Sequence, residues 1–254
     1  MGFLMAIFSD RERVVTGLAL LAAVIIIGLI DNFFVMWAVF GAIYLLAFSE
    51  AQKLYGAVDN SVFKFAMGLW LLALIYPYGD DLFVLAGIFY ASAVAYNPKL
   101  EWKNFLPFIY PTAGMLFIFT MYQEYGMMSM AWLLIVVAMT DVGAYGVGKS
   151  IGKTKFCQTS PNKTIEGVAG GIAVATLSGM FVGLYVVDMF TAFVISIAVS
   201  AASIFGDLYE SSLKREAGVK DSGDILPGHG GILDRIDGYL FGAVIMLVLL
   251  RGLV

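Results

Sequence analysis

The chain has 254 residues, of which 61% are hydrophobic and 13% charged, and its formal net charge is −4. Soluble domains carry about 25% charged residues, so this composition excludes an ordinary soluble globular protein. The single cysteine, Cys157, excludes an internal disulfide and a cysteine-rich zinc site.

Apolar segments of about 17–22 residues recur along the chain and match the thickness of a bilayer core. Helices satisfy their own backbone polar groups in lipid, and the continuous apolar character of the segments argues against a β-barrel. We therefore predict an all-α polytopic membrane protein with nine transmembrane helices. The segments lie at about 14–30, 32–48, 62–77, 81–97, 105–121, 127–147, 167–187, 189–205 and 237–254.

The beginning of the chain, MGFLMAIFSDRERVV, places its charges after a short apolar stretch. A cleavable signal peptide has its charges first, so none is expected. Only Asp31 and Asn32 separate the first two segments, which predicts a tight helical hairpin. Lys64, near the start of the third segment, is expected to reach the membrane surface.

Lysine and arginine residues predict the orientation, because cytoplasmic loops are enriched in them. With the N-terminus in the cytoplasm and nine crossings, 14 of the 15 basic residues fall on the cytoplasmic side, and only Arg251 lies opposite. This partition predicts an N-terminus inside and a C-terminus outside. We expect one integral membrane domain, 1–254, divided into N-terminal spans (1–140) and C-terminal spans with catalytic cytoplasmic loops (141–254). Those two loops are 148–166 and 206–236.

The first long loop follows Asp141, near the cytoplasmic end of the sixth segment. An ionisable residue at this depth is costly and typical of a functional site. The glycine-rich stretch DVGAYGVGKSIG begins there, and SPNKTIEG follows ahead of the seventh segment. Lys163 is favoured as a site residue. For Glu166, a site role and a loose helix cap with Asn162 are left open.

The second long loop concentrates charge. Residues 207–237 hold 11 of the chain's 34 charged residues and its only histidine, His229. Asp234 and Asp237, three residues apart at the start of the last helix, face the same way, and the loop can return Asp207 to them. Three converging carboxylates repel one another unless a cation joins them, and hard oxygen ligands favour Mg²⁺.

Basic groups surround these carboxylates, which suits a metal-bound polyphosphate. They are Lys214, Arg215, Lys220 and Arg235. The glycines of PGHGG, directly before a helix, would let backbone amides approach an anion. A turn is the alternative for this stretch, a hydrogen-bonded loop histidine is the alternative for His229, and a solvated loop is the alternative for the whole segment.

The pattern S-x-x-K-R-x(4)-K-D-x-G-x(3)-P-x-H-G-G-x-x-D-R-x-D, from Ser211 to Asp237, resembles the signature of the phosphatidate cytidylyltransferase family. SPNKTIEG, DVGAYGVGKSIG and GDLYES are similar to further segments of that family. The resemblance covers roughly 141–238. Its fixed positions are filled by Ser211, Lys214, Arg215, Lys220, Asp221, Gly223, Pro227, His229, Gly230, Gly231, Asp234, Arg235 and Asp237.

The resemblance implies Mg²⁺-dependent transfer of CMP from CTP to phosphatidate in phospholipid biosynthesis, at the cytoplasmic face of a bacterial inner membrane. It leaves room for a second, monovalent cation and for a homodimer, and it implies no nucleic-acid partner. The residues to which it gives a catalytic role are Asp207, Lys214, Arg215, Lys220, Asp221, His229, Asp234, Arg235 and Asp237, with Asp207, Asp234 and Asp237 as metal ligands. Those to which it gives a substrate-binding role are Asp141, Tyr145, Lys149, Ser160, Lys163, Thr164, Glu166, Ser211, Gly230 and Gly231.

Two alternatives stay open at this point. One is CTP-dependent chemistry on another lipid, such as an isoprenoid ether phosphate or a polyprenol. The other is a transporter in which Asp141 is a coupling site. Transporters usually place polar residues near the bilayer midplane, whereas the ionisable residues here crowd onto one membrane face.

Overall fold

The structure is a computed structural model that describes the backbone of residues 2–254 and the side chains from Val14 onward. The predictions for Arg11 and Arg13 concern side chains outside this described part. Within it the chain is helical, and the extended pairings found there are two isolated bridges, Lys155 with Thr164 and Leu226 with Gly230. The helices are α1 Gly2–Ile30, α2 Phe33–Leu54, α3 Asn60–Leu72, α4 Asp81–Tyr96, α5 Ala113–Ile151, α6 Ile165–Gly183, α7 Met189–Glu216 and α8 Leu233–Leu253, with short helical turns at Trp102–Phe105 and Phe108–Thr112.

The predicted all-helical class is confirmed for the described residues. By length and composition, five helical segments of the described part of the chain can cross a membrane, and Val14–Ile30 and Asp81–Tyr96 are shorter apolar helices. The nine crossings and the orientation of the termini stay predictions. The five long segments are Phe33–Leu54, Trp102–Ile151, Ile165–Gly183, Met189–Glu216 and Leu233–Leu253.

The predicted turn between α1 and α2 is present at Asp31 and Asn32, although the described parts of the two helices contact each other little and do not form a tight hairpin. Asp31 adopts a left-handed conformation with φ 38°, and the Asn32 side chain caps α2 by accepting hydrogen bonds from the amides of Phe34 and Val35. Asp31 also accepts a 2.9 Å hydrogen bond from the Tyr122 hydroxyl. The turn is therefore held both locally and by α5.

Helix α5 reverses direction at Gly126, where φ is 70°. The Ser129 hydroxyl donates to the carbonyl of Met121 at 3.3 Å, although eight residues of continuous helix would span about 12 Å. The two arms, 113–125 and 127–151, are therefore antiparallel. Together with the turn at Phe108–Thr112, they occupy the segments predicted as the fifth and sixth spans.

Helix α7 is longer than predicted, and this changes where the acidic residues sit. The apolar run ends near residue 205, but the helix continues to Glu216. Its extension, DLYESSLKRE, is rich in good helix formers and carries a Glu210–Lys214 pair at i, i+4. Asp207 therefore lies on a helix, not in a loop as we predicted. Helix α8 likewise begins at Leu233, so the two long loops shorten to 152–164 and 217–232.

Glycines bring the helices of the C-terminal half into close contact, as is common where lipid provides no hydrophobic drive between helices. Gly206 of α7 faces the backbone of α8, and a Cβ added there would lie 2.5 Å from the carbonyl oxygen of Asp237. Gly143 and Gly171 bring α5 and α6 together in the same way. The crossing at Gly206 places Asp207 beside Asp237.

The other end of the bundle carries an ion-pair cluster. Arg251, near the end of α8, contacts Asp80 and Glu124 at 2.5 Å each. Since α8 spans 21 residues, it separates this cluster from Asp234 by about 25 Å. The two ends of α8 therefore carry distinct polar clusters.

Candidate active site

Three carboxylates converge where α7 crosses α8. Asp207, Glu210 and Asp237 each offer an oxygen within 4.8 Å of the others. Asp207 and Asp237 were predicted from the sequence, and Glu210 was missed. Its position three residues after Asp207, on the same helix face, was the signal that could have identified it, but we had placed Asp207 beyond the end of the helix.

Glu210 is fully buried, with 0% of its surface exposed. Its Oε2 atom accepts a 2.9 Å hydrogen bond from Lys214, whereas Oε1 has no hydrogen-bond partner among the described residues. A buried carboxylate oxygen without a donor is costly, and so is the repulsion among three clustered carboxylates. A hard divalent cation such as Mg²⁺ fits this donor set, because it would relieve both costs.

Asp234 has a different environment from the one predicted for a metal ligand. Its Oδ1 accepts a 2.6 Å hydrogen bond from Lys214, and its Oδ2 accepts from the amides of Ser222 and Gly231 at 2.8 Å each. Lys214 thus bridges Asp234 and Glu210. In the structure Asp234 organises the loop and Lys214, and Glu210 completes the acidic cluster. A metal-ligand role for Asp234 stays a prediction.

The acidic cluster lines a cavity of 280 Å³, which we call the acidic cavity. Its wall includes the predicted residues Asp141, Asp221 and Arg235. Arg235 is oriented by a 3.0 Å hydrogen bond from its Nε to the carbonyl of His229. The charged residues of the wall are Asp141, Asp207, Glu210, Lys214, Asp221, Asp234, Arg235 and Asp237.

A second, more apolar cavity of 570 Å³ adjoins the first, and the two share Asp141. Lys163, which lines the second cavity, forms an ion pair with Asp207, which lines the first. Val168 and Ile204 contribute apolar wall. Six residues predicted to bind substrate therefore come together here, from the end of α5 and from the loop 152–164. They are Asp141, Tyr145, Lys149, Ser160, Lys163 and Thr164.

Within the loop 152–164 the helix cap differs from the one we considered. Thr164 caps α6 by accepting a 3.1 Å hydrogen bond from the amide of Gly167, so the proposed cap by Asn162 is wrong. Glu166 accepts hydrogen bonds from the amides of Lys153 and Thr154 and from the Thr154 hydroxyl. Glu166 therefore holds the loop and lines neither of the two cavities.

The glycine-rich stretch also differs from expectation. The amide of Gly231 donates to Asp234, and the amides of Ile232 and Leu233 donate to Glu50. Two carboxylates of the chain itself therefore occupy the amide of Gly231 and the first amides of α8, and a role in substrate binding for Gly230 and Gly231 stays a prediction. A Cβ on Gly230 would lie 2.7 Å from an Asp234 oxygen, so this glycine makes room for that carboxylate.

Four other predicted residues lie outside both cavities. A Cβ on Gly17 of α1 would lie 3.7 Å from the His229 ring, so the histidine faces α1. Arg215 and Lys220 are exposed, and Ser211 is half-buried on α7. Nothing in the packing gives these four a contact with the acidic cluster.

Sequence reasoning missed a second acidic residue, Glu50 on α2. It is 1% exposed and contacts the start of α8. Its segment carries none of the motifs that drew attention to the C-terminal half. The sequence did show a carboxylate within four residues of the end of an apolar span. Many cytoplasmic helix ends share that feature, so it could not single out Glu50.

Comparison with known proteins gives consistent matches. Residues 11–253 match the family described as the cytidylyltransferase family. A Helicobacter pylori J99 protein named phosphatidate cytidylyltransferase is 40% identical over 247 residues, which is 96% of this chain and 93% of that protein. Proteins of the same name from Bacillus subtilis and Thermotoga maritima are 48% identical over 47% of the chain and 33% identical over 67% of it, covering 46% and 68% of their own lengths.

Proposed function

Because the chain belongs to the cytidylyltransferase family, we propose that it transfers CMP from CTP to phosphatidate and so makes CDP-diacylglycerol and pyrophosphate. The family predicted from the motifs is confirmed by a match over most of the chain. The observation that carries the proposal is the acidic cluster of Asp207, Glu210 and Asp237, which lines the acidic cavity beside a second cavity with basic and apolar walls.

The two cavities suit the two substrates. The acidic cavity would take the triphosphate of CTP together with Mg²⁺, held by Asp207, Glu210 and Asp237, with Asp234 as a further candidate ligand. The second cavity would take the phosphatidate headgroup, with Lys149 and Lys163 on its phosphate and apolar wall towards its acyl chains. A bound Mg²⁺ supplies neutralisation of phosphate charge.

The reaction needs no general base. The phosphate of phosphatidate is anionic at neutral pH, and one of its oxygens attacks the α-phosphorus of CTP. The bond from that phosphorus to the bridging oxygen breaks, and pyrophosphate leaves with the electron pair. The chain's task is to position two polyanions and to offset their repulsion. Lys163 is suited to this task because its ion pair with Asp207 links the two cavities.

The chain is an integral membrane protein, and we place the site on the cytoplasmic face of the inner membrane, with the N-terminus inside and the C-terminus outside. Nine crossings in one domain, a homodimer and a second, monovalent cation stay predictions. Support for the orientation comes from the 14 basic residues on one side.

Cys157 allows the orientation to be measured. It is the chain's only cysteine and lies in the loop 152–164. A membrane-impermeant maleimide should label it in inverted vesicles and not in intact spheroplasts. In a Cys157→Ser background, Tyr185→Cys on the opposite link should show the reverse pattern. Labelling of Cys157 from outside the cell would overturn the orientation.

The activity is tested with CTP labelled on the α- or the γ-phosphate. With phosphatidate and Mg²⁺, α-label should enter the chloroform phase and γ-label should stay in the aqueous phase as pyrophosphate. Chloroform-soluble γ-label with a polyprenol acceptor would indicate phosphorylation instead. An isoprenoid ether phosphate tested beside phosphatidate separates the acceptors. Folded protein that makes no α-labelled lipid with phosphatidate contradicts the proposal.

A further inference from the structure

Glu50, on α2, is hydrogen-bonded to the start of α8, to residues that lie 182 and 183 positions later in the sequence. Its Oε1 accepts a 3.0 Å hydrogen bond from the amide of Ile232, and its Oε2 accepts a 2.8 Å hydrogen bond from the amide of Leu233. The first amides of a helix lack partners within the helix, and α8 has no side-chain cap from its own neighbouring residue. Glu50 therefore caps α8 and places a negative charge at its positive end.

The loop is shaped to receive this carboxylate. A Cβ on Gly223 would lie 2.5 Å from Glu50 Oε1, and a Cβ on Gly231 would lie 2.6 Å from Oε2. Any side chain at either position would displace the carboxylate. The glycines of the second long loop thus serve a contact with α2, in the half of the chain that carries none of the motifs.

Hydrogen bonds continue from Glu50 to the acidic cluster. The hydroxyl of Ser222 lies 3.0 Å from both Glu50 Oε2 and Asp234 Oδ2, so its one proton is shared between two carboxylates. Asp234 then contacts Lys214 at 2.6 Å, and Lys214 contacts Glu210 at 2.9 Å. Every member of this chain is buried or half-buried. A displacement of Glu50 would therefore be transmitted to Glu210 through three side chains, those of Ser222, Asp234 and Lys214.

We propose that Glu50 is a positioning residue: by capping α8 and holding Ser222, it fixes Asp234, Lys214 and the acidic cluster in the geometry that binds the metal. This inference rests on the proposed function, since it concerns the same metal site. Glu50 itself lines neither of the two cavities. It acts through Ser222, Asp234 and Lys214, and Lys214 is the member that bonds directly to Glu210. Loss of such a direct contact to a ligand typically lowers metal affinity 10- to 100-fold, so the effect of Glu50 is expected at the lower end of that range.

Glu50→Gln is the sharpest variant. A glutamine keeps the shape but offers one acceptor where two amides need acceptors, so one buried amide loses its partner. Ser222→Ala is the milder variant, because it removes the hydroxyl that joins Glu50 to Asp234 but leaves the two amide bonds from α8 to Glu50 in place. It decides the matter should Glu50→Gln fail to fold. Asp188→Ala is the matched control, since Asp188 caps α7 through the amides of Phe190 and Thr191 at the end of α7 away from the site.

Metal binding is measured directly on full-length protein by titrating Mn²⁺ and following the free ion by electron paramagnetic resonance. We expect about 10-fold weaker Mn²⁺ binding for Glu50→Gln and Ser222→Ala, and unchanged binding for Asp188→Ala. In CMP transfer, both variants should need about 10-fold more Mg²⁺ for half-maximal rate and should recover most of the wild-type rate at saturating Mg²⁺. A purely structural defect would instead lower the rate at every Mg²⁺ concentration.

Wild-type Mn²⁺ affinity in both folded variants would overturn the inference while leaving the proposed function intact. A wild-type protein that neither binds Mn²⁺ nor transfers CMP would overturn both together. The two failures are therefore distinguishable by the behaviour of the wild-type protein.

Discussion

The crossing of α7 and α8 at Gly206 gives the most direct test of how the fold builds the site. In Gly206→Ala, the added Cβ would lie 2.5 Å from the carbonyl oxygen of Asp237 and 3.1 Å from its carbon. The helices must separate by about 1 Å to bring the added Cβ and the Asp237 carbonyl oxygen to an ordinary van der Waals distance. Overpacking of this kind costs about 1–3 kcal/mol, and the better helix propensity of alanine offsets about 1 kcal/mol of it.

The expected effect on activity is larger than the effect on stability. Asp207 follows Gly206 directly and Asp237 lies on the opposing helix, so separation widens the acidic cluster itself. A displacement of about 1 Å at reacting groups can cost about 100-fold in rate. We therefore expect a loss of unfolding free energy of at most about 2 kcal/mol together with a roughly 100-fold lower rate of CMP transfer.

The measurements are thermal unfolding in detergent and initial rates of CMP transfer on the same preparation. Gly68→Ala in α3 is the matched control, because a Cβ there meets no atom within 4 Å. It should be as stable as the wild type or slightly more stable, with unchanged activity. If Gly206→Ala keeps at least a third of the wild-type rate, close approach of the helices does not set the ligand geometry.

Three further predictions concern single side chains. Glu210→Gln should unfold at a higher temperature than the wild type in EDTA, because it removes one of three mutually repelling carboxylates. The same variant should bind Mn²⁺ about 10-fold or more weakly than the wild type. Equal Mn²⁺ affinity would exclude Glu210 as a ligand. Arg251→Met should lower the free energy of unfolding by about 1–3 kcal/mol, since it leaves Asp80 and Glu124 without their partner. It should leave the Mg²⁺ dependence of the rate unchanged. A shifted Mg²⁺ dependence would mean that the two ends of α8 are coupled. Thr164→Ala should lower the free energy of unfolding by about 1 kcal/mol, because it removes the cap of α6. Thr164→Ser keeps the hydroxyl and should be as stable as the wild type. Equal losses of stability in both variants would mean that the methyl group, and not the cap, matters.

Composition and the length of the apolar runs were sufficient to predict the helical class, because every membrane-spanning helix needs a continuous apolar stretch. Helix ends were harder to predict. Hydropathy falls at Asp207, yet α7 continues to Glu216 because polar helix formers extend it beyond the apolar run. Hydropathy reports contact with lipid, and hydrogen bonding along the backbone is a separate property. The reversal of α5, in contrast, was predicted, because Gly126 lies within the break at 122–126 between the fifth and sixth predicted spans.

The motif predicted the family, but it did not show how its residues share the work. Asp234 and Asp237 stand three residues apart on one helix, yet Asp234 contacts Lys214 and two loop amides, while Asp237 joins Asp207 and Glu210. That division depends on the path of the loop 217–232, which spacing along α8 does not encode. Glu50 was out of reach for a related reason, since its partners lie more than 170 residues away and only the folded chain brings them together.

The charge around the acidic cavity decides whether CTP can bind without a divalent cation. Six carboxylates line this cavity, and two basic side chains line it with them, while Lys163 adds a third from the adjoining cavity through its ion pair with Asp207. This excess of negative charge repels a free triphosphate, whereas the CTP–Mg²⁺ complex brings two positive charges to the same carboxylates. CTP alone in EDTA should therefore leave the unfolding temperature unchanged, and CTP with a non-reacting divalent ion such as Ca²⁺ should raise it. CTP binding of equal strength in EDTA and in Ca²⁺ would mean that the basic residues suffice to hold the nucleotide, and that the cluster of Asp207, Glu210 and Asp237 has another role.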